Sequence, residues 1–198
     1  EQQSENQKMN YADPSTWLLG YINPGMFSNH PHSEWYVNGR ESYIPEPAVL
    51  EKLGSAIGND LSVLVVLGTW CGDSRREVPR FMKIIEQTGF PAERLTFLGV
   101  DITKNSPVGG FDTLNIERVP TFIFLKNKVE TGRIIETPVT SLEQDMLNIL
   151  TDIEKYYHNN HNNYKQIYFQ SQCNDTLYYN YYENDSVLKL SEKYELLD

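Results

Sequence analysis

The stretch LSVLVVLGTWCGDS, residues 61–74, decides how this chain is expected to fold. The run 62–67 is almost entirely apolar and rich in β-branched residues, which is typical of a strand buried on both faces of a sheet. Apolar residues at helical spacing then predict a helix over about residues 74–87. Cys71 therefore stands between the carboxyl end of a buried strand and the start of a helix.

Regular patterns continue on both sides of this stretch and predict an α/β fold. The order is helix, strand, helix, strand, polar connection, strand, strand and helix, which indicates a partly parallel sheet that is covered on both faces, with an antiparallel pair at one edge. The predicted elements are a helix at 46–57, strands at 62–67, 95–100, 121–125 and 132–136, the helix at 74–87, and a last helix that opens at Ser141 with capping-box spacing.

Cys71 is the residue best placed for chemistry. At the amino end of a helix, unpaired backbone N–H groups and the helix dipole stabilise a thiolate, which is the nucleophilic form of cysteine. Arg75, Arg76 and Arg80 also favour a thiolate, whereas Asp73 opposes it. The placement fits a nucleophilic cysteine, and the alternative is a structural cysteine at a strand end.

Three segments resemble the thioredoxin superfamily. Trp70-Cys71-Gly72-Asp73-Ser74 resembles its Trp-Cys-Gly-Pro-Cys active-site turn, and Pro79 falls where the family has a helix-kinking proline. Val119-Pro120-Thr121 resembles the segment that holds the family's cis-proline. The resemblance covers residues 46–155 and implies a thioredoxin-like three-layer sandwich with a mixed parallel and antiparallel sheet. The turn is most similar to the Trp-Cys-x-Asp-Ser turn of Bacteroidetes-type thioredoxin-like proteins.

Two departures from the family limit the function that carries over. The family's second, resolving cysteine falls on Ser74, whose hydroxyl cannot form a disulfide. The family's buried acid falls on Val65, so no carboxylate assists proton transfer there. The resemblance therefore implies a monothiol Cys-x-x-Ser site, in which Cys71 forms a mixed disulfide and a thiol from outside the site releases it.

The resemblance also implies that Cys71 and Ser74 form the catalytic pair. The Ser74 hydroxyl or backbone N–H is expected to donate a hydrogen bond to the Cys71 thiolate, unless Ser74 only starts the helix. Asp73 is expected either to disfavour that thiolate or to accept a hydrogen bond from Ser74.

The remaining expected site residues support the turn or bind the substrate. Trp70, Gly72 and Arg118 are the expected supporting residues, and Arg118 either lies close to the thiolate or is solvated. The expected substrate-binding residues are Val119, Pro120 and Thr121, which in this family hold an extended segment beside the sulfur by a short strand pairing.

Two extensions flank the resemblance. Residues 1–45 are expected to be irregular, with a small hairpin around the turn dipeptide Asn38-Gly39. Residues 156–198 contain nine of the thirteen tyrosines and many asparagines, and short strands near 167–169 and 177–179 are favoured over disorder. Cys173 lies in this extension as an inert thiol or, if the extension folds back over the site, as a remote resolving thiol.

Composition disfavours several other functions. Lys and Arg number 17 against 27 Asp and Glu, a net charge of −10, so nucleic-acid binding is not expected. No apolar run approaches the roughly 20 residues of a membrane span, and neither a metal site nor a cofactor is expected. The polar start at Glu1 fits a removed secretory signal or other trimming; export to the periplasm or cell envelope is favoured over the cytoplasm.

Two functions of different classes are favoured over a third, a peroxide-reacting cysteine, because the threonine and arginine pattern typical of that chemistry does not surround Cys71. The first is thiol-disulfide exchange on protein or low-molecular-weight thiols and disulfides, as a monothiol oxidoreductase or isomerase. The second is a non-catalytic adaptor whose groove beside Pro120 recognises a partner peptide. Neither the oligomeric state nor the substrate follows from the sequence.

Overall fold

The computed structural model describes residues 9–151 and the backbone of three further strands. The helices are α1 (Ser33–Ser42), α2 (Pro47–Ala56), α3 (Gly72–Thr88) and α4 (Leu142–Thr151). The strands are β1 (Gly20–Tyr21), β2 (Leu61–Leu67), β3 (Leu95–Gly99), β4 (Thr121–Lys126), β5 (Val129–Ile135), β6 (Tyr168–Gln172), β7 (Thr176–Asn180) and β8 (Val187–Lys189). The elements predicted from residue 46 to Thr151 are confirmed, with small shifts at their ends.

Strand β2 lies at the centre of a mixed sheet with the strand order β1-β3-β2-β4-β5. It pairs with β3 in parallel, from Val63 opposite Leu95 to Leu67 opposite Gly99, and with β4 in antiparallel orientation. Its apolar run is buried on both faces: every side chain from Val63 to Leu67 is at most 2% exposed, and successive side chains of a strand point to opposite faces. The α/β fold with a mixed sheet is therefore confirmed, and its central strand leads directly to Cys71.

Alternate residues of β2 enter two different hydrophobic cores. Val63, Val65 and Leu67 pack in the core that lies under the helices, whereas Leu64 and Val66 pack in the core on the opposite face of the sheet. That second core includes Phe111 and Leu114 of the long connection between β3 and β4, as well as Val119. The connection thus covers the face of the sheet that the helices leave open.

Residues 33–42 form helix α1, so the predicted hairpin around Asn38-Gly39 was wrong. The aromatic residues of this helix contact the core: Tyr36 is buried, and both Trp35 and Tyr36 pack against Phe27. Gly39 permits close approach to α3, since a Cβ atom there would lie 2.5 Å from the Pro79 ring. Tertiary packing on α3 therefore outweighs the local turn preference.

The N-terminal segment is integrated into the sheet. Strand β1 pairs with β3 in antiparallel orientation, with Gly20 opposite Gly99 and Tyr21 opposite Leu98. The backbone of Leu18 lies so close to Gly99 that a Cβ at residue 99 would meet the Leu18 carbonyl oxygen at 2.0 Å. The expectation that residues 1–45 are irregular is thus wrong for β1 and α1, which contribute a sheet edge and a helix, whereas irregular backbone and short 3-10 helices make up most of residues 9–32.

Helix α4 begins with the hydrogen bond that the capping-box spacing predicts. The Ser141 hydroxyl accepts this bond from the Gln144 backbone N–H at 3.2 Å.

Strands β6, β7 and β8 form a separate antiparallel sheet, which confirms the strands expected near 168 and 178. Cys173 lies outside the described residues. Among the described residues, no helix combines the length and apolarity that a membrane crossing requires.

Candidate functional site

A tight turn connects β2 to α3 and places Cys71 at the N-cap of that helix. The Cys71 N–H donates to the Gly68 carbonyl at 2.9 Å, and the Cys71 carbonyl accepts from the Arg75 N–H at 3.1 Å. Cys71 itself has extended backbone angles, φ −81° and ψ 129°. The sulfur therefore stands at the helix terminus where N–H groups lack intrahelical partners, as the sequence pattern predicts.

The Cys71 sulfur faces the segment before β4. Its thiol donates to the backbone carbonyl oxygen of Val119 at an Sγ to O distance of 3.3 Å. The Val119–Pro120 peptide bond is cis, and Val119 is buried. Cys71 is partly exposed and is a free cysteine. The structure thus brings together the two segments that the sequence analysis singled out, which lie 48 residues apart.

Ser74 is fully buried beneath the turn. Its hydroxyl oxygen accepts a hydrogen bond from the Gly68 backbone N–H at 3.2 Å. The Cys71 side chain makes no capping hydrogen bond with the first turn of α3. The partner of the Ser74 hydroxyl is therefore the end of strand β2, and not the sulfur that the sequence analysis expected.

Asp73 also has a different partner from the two that were expected. Its carboxylate forms an ion pair with Arg76 at 2.6 Å, one turn along α3. Arg76 continues to the buried Glu77 carboxylate at 2.6 Å, and the hydrogen bond to Glu77 is the main cause that raises the pKa of Arg76 above its ordinary value. The acidic group nearest Cys71 in sequence is thus held by a cation on the same helix.

Arg118 and Thr121 fix the loop that carries Val119. The Arg118 guanidinium bonds the Glu136 carboxylate at 2.6 Å and the side chain is 54% exposed. The Thr121 hydroxyl donates to the Arg118 carbonyl at 2.7 Å, and the Glu136 N–H donates to the Pro120 carbonyl at 2.7 Å. Arg118 therefore braces the loop through Glu136, which the sequence pattern did not reveal.

Trp70 and Gly72 lie on either side of Cys71 in very different surroundings. The Trp70 indole donates to the Val100 carbonyl at 2.9 Å, and its ring lies over Gly68, where a Cβ would come within 2.5 Å of the ring. Gly72 is exposed, and a Cβ there would meet nothing within 4 Å. Trp70 thus anchors the turn, while the surface beside Gly72 stays open for an approaching molecule.

The structure adds site residues that the sequence analysis missed. Thr69 is 1% exposed; its hydroxyl accepts from the Leu18 N–H at 3.1 Å, and its carbonyl accepts from Arg75 at 2.8 Å. The Arg75 guanidinium lies 4.3 Å from the centre of the Tyr11 ring, and Trp17 packs on Trp70. The aromatic residues of the N-terminal segment were the available signal, but no local spacing links them to residues 69–75.

A metal centre and a ligand cavity are the other kinds of site relevant to the described part of the chain. No group of three or more His, Cys, Asp or Glu side chains that could hold a metal ion occurs there. A cavity of about 160 Å³ lies in the N-terminal segment and is lined by residues 15–18, 26 and 29–32. The Cys71 turn is therefore the described feature with the clearest chemistry.

Comparison with known proteins agrees with this geometry. Residues 51–148 match the model of the thioredoxin family. The TPR repeat-containing thioredoxin TDX of Arabidopsis thaliana is 34% identical over 84 residues, which cover 42% of this chain and 20% of that protein. Thioredoxin H9 of Arabidopsis thaliana is 25% identical over 117 residues, which cover 59% of this chain and 76% of that protein. The chain thus spans about a fifth of the first relative's length and three quarters of the second's.

Two solved structures complete the comparison. A Pseudomonas aeruginosa protein of unknown function aligns with a TM-score of 0.47 and 15% identity, over 70% of this chain and 93% of that one. Oxidized thioredoxin O2 of Arabidopsis thaliana aligns with a TM-score of 0.35 and 25% identity, over 50% of this chain and 84% of that one. The family match, the sheet order and the cysteine turn at the start of α3 together show a thioredoxin-like domain over residues 51–148 and support its place in the thioredoxin superfamily.

Proposed function

We propose that this protein carries out thiol-disulfide exchange with the single nucleophilic cysteine Cys71. The substrates are protein or low-molecular-weight disulfides, and a thiol from outside the site completes the cycle. The observation that carries the proposal is the placement of a partly exposed free thiol at the N-cap of α3, beside the open surface at Gly72. The similarity to two Arabidopsis thaliana proteins named as thioredoxins supports a redox role for the domain.

The exchange proceeds in two balanced steps. The Cys71 thiolate attacks one sulfur of a substrate disulfide, so that a new sulfur-sulfur bond forms and the other substrate sulfur leaves as a thiolate, which takes up a proton. A low-molecular-weight thiolate then attacks the substrate sulfur of the mixed disulfide, so that a disulfide forms between these two sulfurs and the Cys71 sulfur leaves as a thiolate. The protein gains and loses no electrons, because one disulfide and one thiol are consumed and a new disulfide and a new thiol are formed.

Ser74 explains why the second step requires an outside thiol. Its hydroxyl occupies the position of the family's resolving cysteine and is already bonded to the Gly68 N–H at 3.2 Å. A hydroxyl cannot displace a sulfur from Cys71. In this proposal Ser74 is a positioning residue that ties the start of α3 to the end of β2.

The loop of Val119, Pro120 and Thr121 holds the substrate in this proposal. The Cys71 thiol already contacts the Val119 carbonyl at 3.3 Å, so an extended segment along this loop passes directly beside the sulfur. Backbone pairing of this kind binds peptides with little dependence on their side chains. The ion pair between Arg118 and Glu136 borders the loop and keeps it in place.

Trapping of the mixed disulfide tests the proposal. The purified full chain is incubated with oxidized glutathione and with a peptide disulfide, and the adduct is located by mass spectrometry after digestion. We expect the adduct on Cys71 in the parent protein and in a Cys173→Ser variant, its absence in Cys71→Ala, and its release by reductant. A parent protein that forms no adduct at Cys71 would overturn the proposal.

The same variants separate exchange from an adaptor role. Partners are recovered from a lysate with the parent chain and with Cys71→Ala, each eluted first without and then with reductant. Partners that depend on Cys71 and elute only with reductant support exchange. Equal recovery by both proteins, without need of reductant, supports the adaptor and contradicts the proposal.

A further inference from the structure

The N-terminal arm, defined here as residues 9–32, contacts the cysteine turn through several residues, among them Leu18, Trp17 and Tyr11. The Leu18 N–H donates to the Thr69 hydroxyl at 3.1 Å, and the Trp17 and Trp70 rings lie 6.4 Å apart. A further contact is made by Tyr11, whose ring lies against the Arg75 guanidinium. The arm therefore touches the residues immediately before Cys71 and the residue four positions after it.

The Arg75 side chain connects the two sides of the cysteine turn. It is the fourth residue of α3, yet its guanidinium reaches back to the Thr69 carbonyl at 2.8 Å. The hydrogen bond spans Cys71 and joins the end of the turn to the first turn of the helix. The backbone at Cys71 is thus fixed from both ends, by its own bonds to Gly68 and Arg75 and by this side-chain bond.

The Tyr11 ring lies against the Arg75 guanidinium that makes this bond. The guanidinium carbon lies 4.3 Å from the centre of the Tyr11 ring, well within the distance of a favourable cation–π contact. Tyr11 is itself anchored, because its hydroxyl donates to the Pro31 carbonyl at 2.8 Å and its carbonyl accepts from the Trp17 indole at 3.0 Å. Its ring also stacks on the buried His32, with 27° between the planes.

We propose that Tyr11 and Arg75 are positioning residues for Cys71: the Tyr11 ring holds the Arg75 guanidinium against the Thr69 carbonyl, and this bond sets the sulfur at the helix terminus. The role of this positioning in disulfide exchange rests on the proposed function. Its effect on the reaction rate of the Cys71 thiol does not depend on that function. A sulfur displaced from the helix terminus loses the positive field of the helix dipole, which favours its reaction as a thiolate.

The experiment measures how fast Cys71 reacts in the full chain. A Cys173→Ser background leaves Cys71 as the one thiol of the sequence, and rates are followed with iodoacetamide and with dithiobis(nitrobenzoate). Tyr11→Leu should slow both reactions about threefold to tenfold, the range expected for losing one cation–π contact. Tyr11→Phe keeps the aromatic face and should restore a rate within about twofold of the parent.

Arg75 variants separate position from charge. Arg75→Lys keeps the positive charge but loses the planar group that lies on Tyr11 and bonds Thr69. It should be as slow as Tyr11→Leu, and the double variant should be no slower than Arg75→Lys alone because both changes break the same contact. An Arg75→Lys protein as fast as the parent, or additive effects in the double variant, would overturn the positioning.

A matched control distinguishes positioning from loss of stability. Tyr43 makes a similar contact with Arg80 further along α3, at 5.2 Å, away from Cys71. Tyr43→Leu should lower the melting temperature at least as much as Tyr11→Leu and leave the Cys71 rates unchanged. A similar slowing in Tyr43→Leu would show that general loosening is the cause. If Tyr11 controls the rates but no mixed disulfide forms with glutathione or peptide disulfides, the proposed function fails and the positioning stands.

Discussion

The Cys71 sulfur lies 3.3 Å from the backbone carbonyl oxygen of Val119 and donates its thiol hydrogen to it. This contact joins the start of α3 to the loop before β4, two segments that reach the same end of the sheet because β2 and β4 are neighbours in antiparallel orientation. The sheet topology therefore assembles the site. Neither segment alone carries both the nucleophile and the backbone groups beside it.

Ser74→Cys should allow the protein to resolve mixed disulfides on Cys71 that the parent chain accumulates. A thiol at residue 74 supplies the resolving group that the natural chain lacks. A glutathione adduct on Cys71 should therefore disappear without added thiol, because a disulfide forms between Cys71 and the thiol at residue 74. The measurement is intact-mass spectrometry over time after the adduct is prepared.

Ser74→Ala is the matched control for that prediction. It removes the hydroxyl that bonds Gly68 but adds no thiol, so its adduct should persist as in the parent chain. An adduct that persists equally in Ser74→Cys would mean that a thiol at residue 74 cannot reach the Cys71 sulfur.

Glu143 should contribute to stability in a manner that depends on pH. Burial alone would raise the pKa of Glu143, but hydrogen bonds from the Tyr43 hydroxyl at 2.5 Å and the Glu46 N–H at 3.0 Å outweigh it and lower the pKa below its ordinary value. A carboxylate with a lowered folded pKa stabilises the protein fully above its unfolded pKa, about 4.3, and loses this contribution as the pH falls through the folded pKa.

Glu143→Gln should therefore lower the free energy of unfolding by about 1.5–3 kcal/mol at pH 7, the range for hydrogen bonds to a charged group. The difference from the parent should shrink below about pH 4. Urea unfolding at several pH values measures it, with the exposed Glu51→Gln as a control that should change little. A difference that stays constant down to pH 3 would contradict the assignment.

The parts of this molecule that the sequence predicted are those set by local patterns. The β-branched run of β2 and the apolar stripe of α3 each need only their own residues, and the cysteine turn lies between them by chain connectivity. Helix α1 was missed because its packing partners lie outside the helix: Trp35 and Tyr36 pack against Phe27, and Gly39 lies against Pro79 of α3.

The partners of the charged site residues were missed for a related reason. Asp73 pairs with Arg76 and not with the adjacent Ser74, and Arg118 pairs with Glu136, which lies 18 residues away. Sequence proximity therefore does not identify the partner, because side-chain geometry in the folded chain decides it. The contact of Arg75 with Tyr11 joins residues 64 positions apart, and no spacing rule reaches across such a gap.

His32 should titrate below the ordinary range of histidine. Burial is the main cause that lowers the pKa of His32, and the charges of Arg75 and His30 lower it further. The folded state then favours the neutral ring, so stability is complete above about pH 6.5 and falls as the pH drops from there through the folded pKa. Nuclear magnetic resonance of the imidazole signals measures the midpoint directly, with His32→Gln identifying the signal. A midpoint at or above about 6.5 would show that the ring is not held in its neutral form by the arm.

Gly39 should be required where α1 crosses α3. An added Cβ would lie 2.5 Å from Cγ and 2.9 Å from Cβ of the Pro79 ring, and a proline ring inside a buried helix has little freedom to move away. Gly39→Ala should therefore lower the free energy of unfolding by about 1–3 kcal/mol, as overpacking does, in spite of the better helix propensity of alanine.

Gly54→Ala in α2 is the matched control, because a Cβ there meets nothing within 4 Å. It should stabilise the protein by about 0.5–1 kcal/mol, so that the two substitutions, identical in chemistry, change the urea midpoint in opposite directions. A Gly39→Ala protein as stable as Gly54→Ala would mean that α1 does not pack on Pro79 at this distance.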